Sequence, residues 1–385
     1  MPFKEQSIMN QRLEFVLLAL QPGSNISILC NRYNISRRTG YKWIYRYKDK
    51  GAAGLENFSR RPHFSPLQTE KEIEQYIIKL RKQDPEWGAK KLLALIKKDQ
   101  QDGKYLFSTI PSKTTINKIL KRNGLINPER SAQSKKYLSF EFEYPNELWQ
   151  MDYKGYFSLL NSAICHPLTI TDDHSRFNLC LSACKNQKEQ TVKQNLIGVF
   201  RKYGLPTMIL TDNAPPWGSA GINADFGIRA YTFLEKWLIQ LNIKLIHGKP
   251  YHPQTQGKEE RFHRTLKQEL LNYEQFRDHT HCQKRFDRWR EKYNCKRPHE
   301  SLDFLVPAQR YSPSNRAYPE NIKSFEYDNK YEKRKVQQNG IISFKGNDYR
   351  VGKAFIGDYV AIKETEKENK YEVYYCNNII RYLNL

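Results

Sequence analysis

Long apolar runs are missing from this 385-residue chain. The longest, Phe15 to Leu20, covers about six residues, far below the ~18 that a bilayer-spanning helix needs, so no membrane segment is expected. Acid is scarce beside base: 41 Asp and Glu against 64 Lys and Arg leave a formal charge of +23. That imbalance draws a chain to a polyanion, and nucleic acid is the leading partner; anionic lipid would answer the charge equally but not the lack of a membrane segment. Cysteine is sparse. Seven residues (Cys30, Cys165, Cys180, Cys184, Cys282, Cys295, Cys376) without CxxC spacing argue against a disulfide framework and a structural zinc. His281-Cys282 and Cys295 near His299 are the one hint of a zinc cluster, and ordinary helix positions account for them better. The N-terminus mixes Lys4, Glu5, Arg12 and Glu14 around its short apolar run and lacks a small-residue cleavage site, so it does not read as a secretory signal and a cytoplasmic protein is expected. Internal repeats and low-complexity tracts are also absent. Apolar content is not lacking: 39% hydrophobic residues, with 13% aromatic, exclude a wholly disordered chain, and the length suits two to four domains.

The order of patterns along the chain predicts a multidomain protein: N-terminal all-α helix-turn-helix domains, a central α/β core and a C-terminal small β-barrel. Residues 1–58 read as the first helix-turn-helix domain. A helix over Arg12–Leu20 is followed by one capped by Asn25 and, after the turn Asn34-Ile35-Ser36, by a third opened by Ser36. On that third helix Arg37, Arg38, Tyr41 and Lys42 share an outward face while Trp43, Ile44 and Tyr47 face inward, as a major-groove reader requires. Residues 59–66 form a basic linker in which Arg60 and Arg61 lie in an extended, proline-flanked segment suited to a minor groove. Residues 67–130 read as a second helix-turn-helix domain, with helices over Thr69–Gln83, Trp87–Lys98 and Ser112–Arg122. The last carries Lys113 and Lys118 and is stopped by Gly124. Over 140–310, strand-like runs (Leu148–Phe157, Leu168–Thr171, Phe177–Ala183, Thr207–Leu210, Ile243–Ile246) interleave with helices over Glu189–Lys202, Thr232–Leu241 and Gly257–Leu271. Residues 325–385 alternate again, with turn signals at Asn339-Gly340, Gly346-Asn347-Asp348 and Asn377-Asn378, and read as the barrel.

Three acids stand where an α/β sheet would bring them together: Asp152 in the first strand, Asp212 at the end of the Thr207–Leu210 strand, and Glu259 or Glu260 on the following helix. Carboxylates from separate elements suit Mg²⁺ or Mn²⁺, and two such ions can serve an in-line phosphoryl displacement. Helical spacing favours Glu260 of the two glutamates. It shares a face with His263, Arg264 and Lys267, whereas Glu259 lies with the apolar Phe262, Leu266 and Leu270, a stripe that should pack on the sheet.

The stretch Pro250-Tyr-His-Pro-Gln-Thr-Gln-Gly-Lys-Glu-Glu-Arg-Phe-His-Arg-Thr-Leu-Lys267, with Trp149-Gln-Met-Asp152 and Leu210-Thr-Asp212-Asn213 upstream, resembles the catalytic core of DDE transposases and retroviral-type integrases, and most of all bacterial insertion-sequence transposases. Pro216-Trp-Gly-Ser, the Thr171-Asp-Asp-His-Ser-Arg176 hairpin and Trp289-Arg…Tyr293-Asn294…Arg297-Pro-His299 fit the same group. The resemblance covers roughly residues 10–310. It implies an RNase H-like core with Asp152, Asp212 and Glu260 as the catalytic, metal-binding triad. These would sit on the first strand, after the fourth and on a helix, with residues 214–230 as an insertion that such transposases commonly carry. Ala214 stands where the family often has Gly.

The expected cofactor is Mg²⁺, two ions, with Mn²⁺ as substitute. The expected partners are the element's terminal inverted repeats and target DNA, bound by a homo-oligomer, dimer or higher, in a bacterial, nucleoid-associated setting. The expected chemistry is hydrolysis of a phosphodiester to expose a 3′-OH followed by attack of that hydroxyl on target DNA. A DNA-binding regulator on a non-catalytic scaffold, and a nuclease without joining activity, are the alternatives. On the loop before the catalytic helix, His252, Gln254 and Gln256 read as DNA contacts, and Lys258 either neutralises a phosphate or is solvated. Asp172 and Asp173 read as a tight turn rather than metal ligands. Trp289 and Tyr293 read as core anchors, and Arg297-Pro298-His299 as either a brace of the site or a helix terminator.

Overall fold

The structure is a computed structural model that describes residues 7–58, 69–126, 141–213, 216–218, 222–223, 228–248, 257–366 and 369–384. The chain divides into two compact units, Met1–Gln68 and Thr69–Leu385.

The first unit holds helices α1 (Ile8–Ala19), α2 (Ile26–Arg32) and α3 (Arg37–Lys50). Local chemistry starts the last two as expected. Asn25 Oδ1 accepts from the amides of Ser27 and Ile28, and Ser36 Oγ from that of Thr39. Phe15, Val16, Cys30, Trp43, Ile44 and Leu55 form the core. Gly40 lets α3 cross this core closely: a Cβ there would lie 2.6 Å from Cys30 Sγ and 3.0 Å from Phe15 Cζ.

The second unit opens with α4 (Lys71–Gln83), α5 (Ala89–Gln101) and α6 (Lys113–Arg122), the last capped by Ser112 Oγ on the Thr115 amide. Ile73, Ile77, Leu92, Ile96, Ile116 and Ile119 pack between them. The remaining elements are β1 (Leu148–Tyr153), β2 (Phe157–Ser158), β3 (Ile164–Asp172), β4 (Asn178–Cys184), α7 (Glu189–Tyr203), β5 (Met208–Thr211), β6 (Ile222–Asn223), β7 (Ile228–Arg229), α8 (Phe233–Gln240), β8 (Lys244–His247), α9 (Gly257–Leu266), α10 (His279–Cys295) and β9 to β14.

The main sheet runs β4-β3-β1-β5-β8, with β2 on β3. Strands β1, β3 and β4 are antiparallel, while β5 and β8 run parallel to β1. Helices α7 and α8 bury Leu196, Phe200, Leu234 and Leu238 among strand residues Trp149, Met151, Ile170 and Ile209. A second cluster joins Phe262 and Leu266 of α9 to Phe286, Trp289 and Tyr293 of α10. Helix α10, capped by Asp278, is an element that the sequence reading did not delimit, although its Trp289 and Tyr293 anchor the core as expected.

The expected C-terminal barrel is corrected in part. Strands β9 (Glu332–Lys335), β12 (Tyr359–Glu364), β13 (Lys370–Tyr375) and β14 (Asn378–Asn384) make an open antiparallel sheet, β14-β13-β12-β9. The hairpin β10 (Ile341–Phe344) and β11 (Asn347–Arg350) pairs with itself alone, so among the described residues no ladder closes a barrel. The hairpin reaches the sheet through side chains: Ile342, Phe344 and Val351 pack with Val360, Val373 and Tyr375. The module rests on α8, where Lys236 pairs with Asp358 at 2.6 Å and Gln240 donates to the Tyr375 hydroxyl at 2.7 Å.

Candidate active site

Strand geometry places the first two acids. Asp152 is the penultimate residue of β1, in register with Thr169 of β3, and Asp212 directly follows β5, the neighbour of β1 on its other side. Glu260 lies in the first turn of α9 and is exposed. Burial pushes the Asp152 carboxyl up to about 7, with Asp212 adding to the rise and Glu260 a smaller repulsion, so both acids lie within electrostatic reach of Asp152. Among the described residues, no three His, Cys, Asp or Glu side chains stand close enough to grip one ion. The donor set nonetheless fits a hard divalent cation, since all three contribute carboxylate oxygens and Asp212 and Glu260 add negative charge around the largely desolvated Asp152.

Glu259 is buried as its apolar stripe required, but it is not inert. Its Oε2 accepts from Thr169 Oγ1 at 2.9 Å. Burial pushes its carboxyl up to about 8, with Asp152 contributing and the Thr171 and Thr169 hydroxyls opposing. His263 corrects the helical-face argument, because it turns inward and is buried. Its Nε2 lies 2.8 Å from Thr169 Oγ1 and 3.6 Å from Glu259 Oε2, and its Nδ1 is 3.9 Å from Asp152 Oδ2. Desolvation holds this imidazole down at about 3, hence neutral. A polar cluster of Thr169, Glu259 and His263 thus backs Asp152, and sequence reasoning missed it because its members come from two distant elements.

Asp212 is held from two directions. Its Oδ1 accepts from the Trp217 indole N–H at 2.5 Å, and its main-chain carbonyl lies 3.1 Å from His247 Nδ1. The neighbouring Asp172 and Asp173 form the expected turn. Asp172 accepts from Ser175 and from the Asn146 amide, while Asp173 accepts from Gln150 Nε2 and the Phe142 amide. Asp173 also pairs with Lys258 Nζ at 2.5 Å, which ties that ammonium to the protein.

The other charged positions divide cleanly. Arg264 and Lys267 are exposed on the same side as Glu260. Arg37, Arg38, Tyr41 and Lys42 are exposed along α3, and Lys113 and Lys118 along α6. Arg60, Arg61, His252, Gln254 and Gln256 lie outside the described residues. Beyond α9, a π-helical turn over Lys267–Leu271 carries Glu269 to Arg297 Nε at 2.8 Å and Lys91 Nζ at 4.0 Å. Tyr293 meets His299 at 3.1 Å, so the Arg297-Pro298-His299 segment braces the end of that helix. Cys282 is buried and Cys295 exposed, and neither joins a metal cluster among the described residues.

The central sheet and the helices after it lie where the chain is similar to integrase cores. Models described as "Integrase core domain" match residues 143–253 and 241–307, while helix-turn-helix and homeodomain-like models match 11–63 and 39–120. More particularly, the C-terminal residues 331–383 match the model described as "IS481 family transposase, C-terminal domain". The chain is 29% identical over 169 residues to an uncharacterized 31.7 kDa protein of insertion element IS407 from Burkholderia multivorans, a match covering 43% of this chain and 55% of that protein. It is 28% identical over 182 residues to an uncharacterized 39.2 kDa protein of insertion element IS476 from Xanthomonas euvesicatoria, covering 46% and 49%. A third relative is the Gag-Pro-Pol polyprotein of Mason-Pfizer monkey virus, 33% identical over 32% of this chain and 6% of the polyprotein. The matches thus span about half of the two insertion-element proteins and a small part of the polyprotein. Among solved structures, the simian T-cell lymphotropic virus intasome in complex with a PP2A regulatory subunit aligns with a TM-score of 0.38 at 17% identity, covering 77% of this chain and 95% of that one. The HTLV-2 integrase catalytic core in complex with magnesium aligns at 0.32 and 15%, covering 43% and 97%. No described helix is long and apolar enough to cross a membrane.

Proposed function

We propose that the protein is a DDE transposase. It would bind the terminal inverted repeats of its element, hydrolyse a phosphodiester at each end to release a 3′-OH, and join that hydroxyl to target DNA. The reading is supported by the placement of Asp152 near the end of β1, Asp212 just after the adjacent β5 and Glu260 in the first turn of α9, near enough for both acids to add to the rise that burial gives the Asp152 carboxyl. These three would hold Mg²⁺, two ions with Mn²⁺ as substitute, which when bound supplies Lewis-acid stabilisation of the entering and leaving oxygens. The chain's own residues do the placing. Exposed Arg264 and Lys267 beside Glu260 would take phosphate oxygens near the scissile bond. Arg37, Arg38, Tyr41 and Lys42 on α3, and Lys113 and Lys118 on α6, would hold the ends at a distance. Arg60, Arg61, His252, Gln254 and Gln256 are proposed as further DNA contacts. The domain roles follow: readers over 1–58 and 67–130 joined by a basic linker over 59–66, catalysis over 140–310, and a terminal module over 325–385. Two ends must be held at once, so at least a dimer is proposed on DNA, in a bacterial cytoplasm and associated with the nucleoid.

The test uses the DNA flanking the gene as labelled substrate with Mg²⁺ or Mn²⁺, comparing wild type with Asp152→Asn and Glu260→Gln. Wild type should release a 3′-OH end and join it to target, as an assembly of at least two copies by light scattering. Each variant should bind ends within about twofold of wild type and lose both steps by at least ~10³-fold. Joining that survives in Asp152→Asn sinks the triad. Nicks without joined strands select the nuclease, and binding without cleavage selects the regulator.

A further inference from the structure

We infer that Trp217 is the positioning residue of Asp212, and that through Tyr153 it ties the carboxylates of Asp212 and Asp152 into one geometry. The inference deepens the metal reading of these acids and rests on it. Trp217 is 1% exposed and lies five residues beyond Asp212. A buried indole carries one donor and no acceptor, so its N–H must find an oxygen. The oxygen it finds is Asp212 Oδ1, at 2.5 Å.

The ring is fixed on its other side. It stacks on Tyr153 with centroids 5.4 Å apart and planes inclined by 19°. Tyr153 in turn donates its backbone N–H to Asp152 Oδ1 at 2.7 Å. The two stacked residues thus each place one donor on an acid, the Trp217 indole on Asp212 and the Tyr153 main chain on Asp152. The backbone is shaped for this. Gly218 has φ +87°, a conformation that side chains resist, and a Cβ there would lie 3.0 Å from Thr232 Cγ2. Glycine at 218 thus permits the turn that sends the preceding indole back over the sheet.

A hydrogen bond to one carboxylate oxygen leaves the other to face a cation and selects the rotamer that presents it. Such supporting donors typically contribute 10–100-fold in metal affinity. A tryptophan serving packing alone would need only its shape, and this difference can be read directly.

The test uses the full-length protein without DNA and measures Mn²⁺ affinity by calorimetry for wild type, Asp212→Asn, Trp217→Phe and a protein carrying 3-benzothienylalanine at position 217. The last keeps the size and stacking of the indole and removes the N–H, so it answers the question even where Trp217→Phe fails to fold. Both Trp217 replacements should lower Mn²⁺ affinity by roughly 10-fold, while the benzothienyl protein keeps the wild-type melting temperature and end binding. Wild-type affinity in the benzothienyl protein overturns the inference and leaves the metal reading standing. A wild-type protein that binds no Mn²⁺, or binds it no better than Asp212→Asn does, overturns the metal reading and the inference with it.

Discussion

Lys91 on α5 is a half-buried cation placed against Arg297, with Glu269 opposite at 4.0 Å. Desolvation first, and Arg297 second, hold its ammonium down at about 8, against 10.5 for a free lysine. The folded state therefore binds this proton more weakly than the unfolded chain does. The destabilising effect is fully present below pH 8 and disappears as pH rises toward 10.5, so this lysine makes stability rise over that window. Replacing it with uncharged Met should raise the melting temperature by a few degrees at pH 7, about 1 kcal/mol, with the two proteins converging near pH 10. A gap that stays constant between pH 7 and 10, followed by calorimetry, would show that Lys91 is not the source. Residues such as this were not legible from the sequence. The placement of Asp152 in its strand, Asp212 after its own and Glu260 in the first turn of a helix was, because local patterns delimit those elements. The inward turn of His263, the polar backing by Glu259 and the indole on Asp212 were not, because each depends on a partner five to more than ninety residues away in a fold that must first exist.

Element boundaries follow the same division between local and distant causes. Asn25, Ser36 and Ser112 start their helices with side-chain caps that involve residues two or three positions on, and all three were readable as such. The turns at Gly340 and Gly346 were readable for a similar reason, since both glycines have positive φ. Helix α10 was obscured by its low apolar content, and the C-terminal barrel was over-read because alternation identifies strands without saying which strands pair. The crossing of α1, α2 and α3 gives a prediction at this scale. With Cys30 Sγ only 2.6 Å from the position a Cβ would take, Gly40→Ala should destabilise the first unit by roughly 1–3 kcal/mol. Proteolysis of the first unit should accelerate while the melting of the second is unchanged; equal protection of both would show that the crossing yields without cost.

At the scale of the whole molecule, a formal charge of +23 is distributed over two units, with exposed basic faces on α3, α6 and α9. Each phosphate neutralised should add about −0.9 to the log–log slope of affinity against salt. Titrations of end DNA between 50 and 300 mM NaCl should give a slope steeper than about −5 for wild type. Lys113→Ala with Lys118→Ala should flatten it by up to about 2, and an unchanged slope would remove α6 from the DNA contacts. Within the second unit the helices α4 to α6 and the part of the chain that holds the central sheet are joined by side chains. Lys90 pairs with Glu300, Lys292 with Asp84 and the Tyr273 hydroxyl with Glu86, around the grip of Arg297 and Lys91 on Glu269. That glutamate stands on the same continuous helical rod as Glu260, roughly 13 Å along it at ~1.5 Å per residue. On the proposed reading, the carboxylate that directs the cut and the clamp that steadies the reader share one ruler. The severed bond would then be found by its distance from the recognised segment, a length set by the protein.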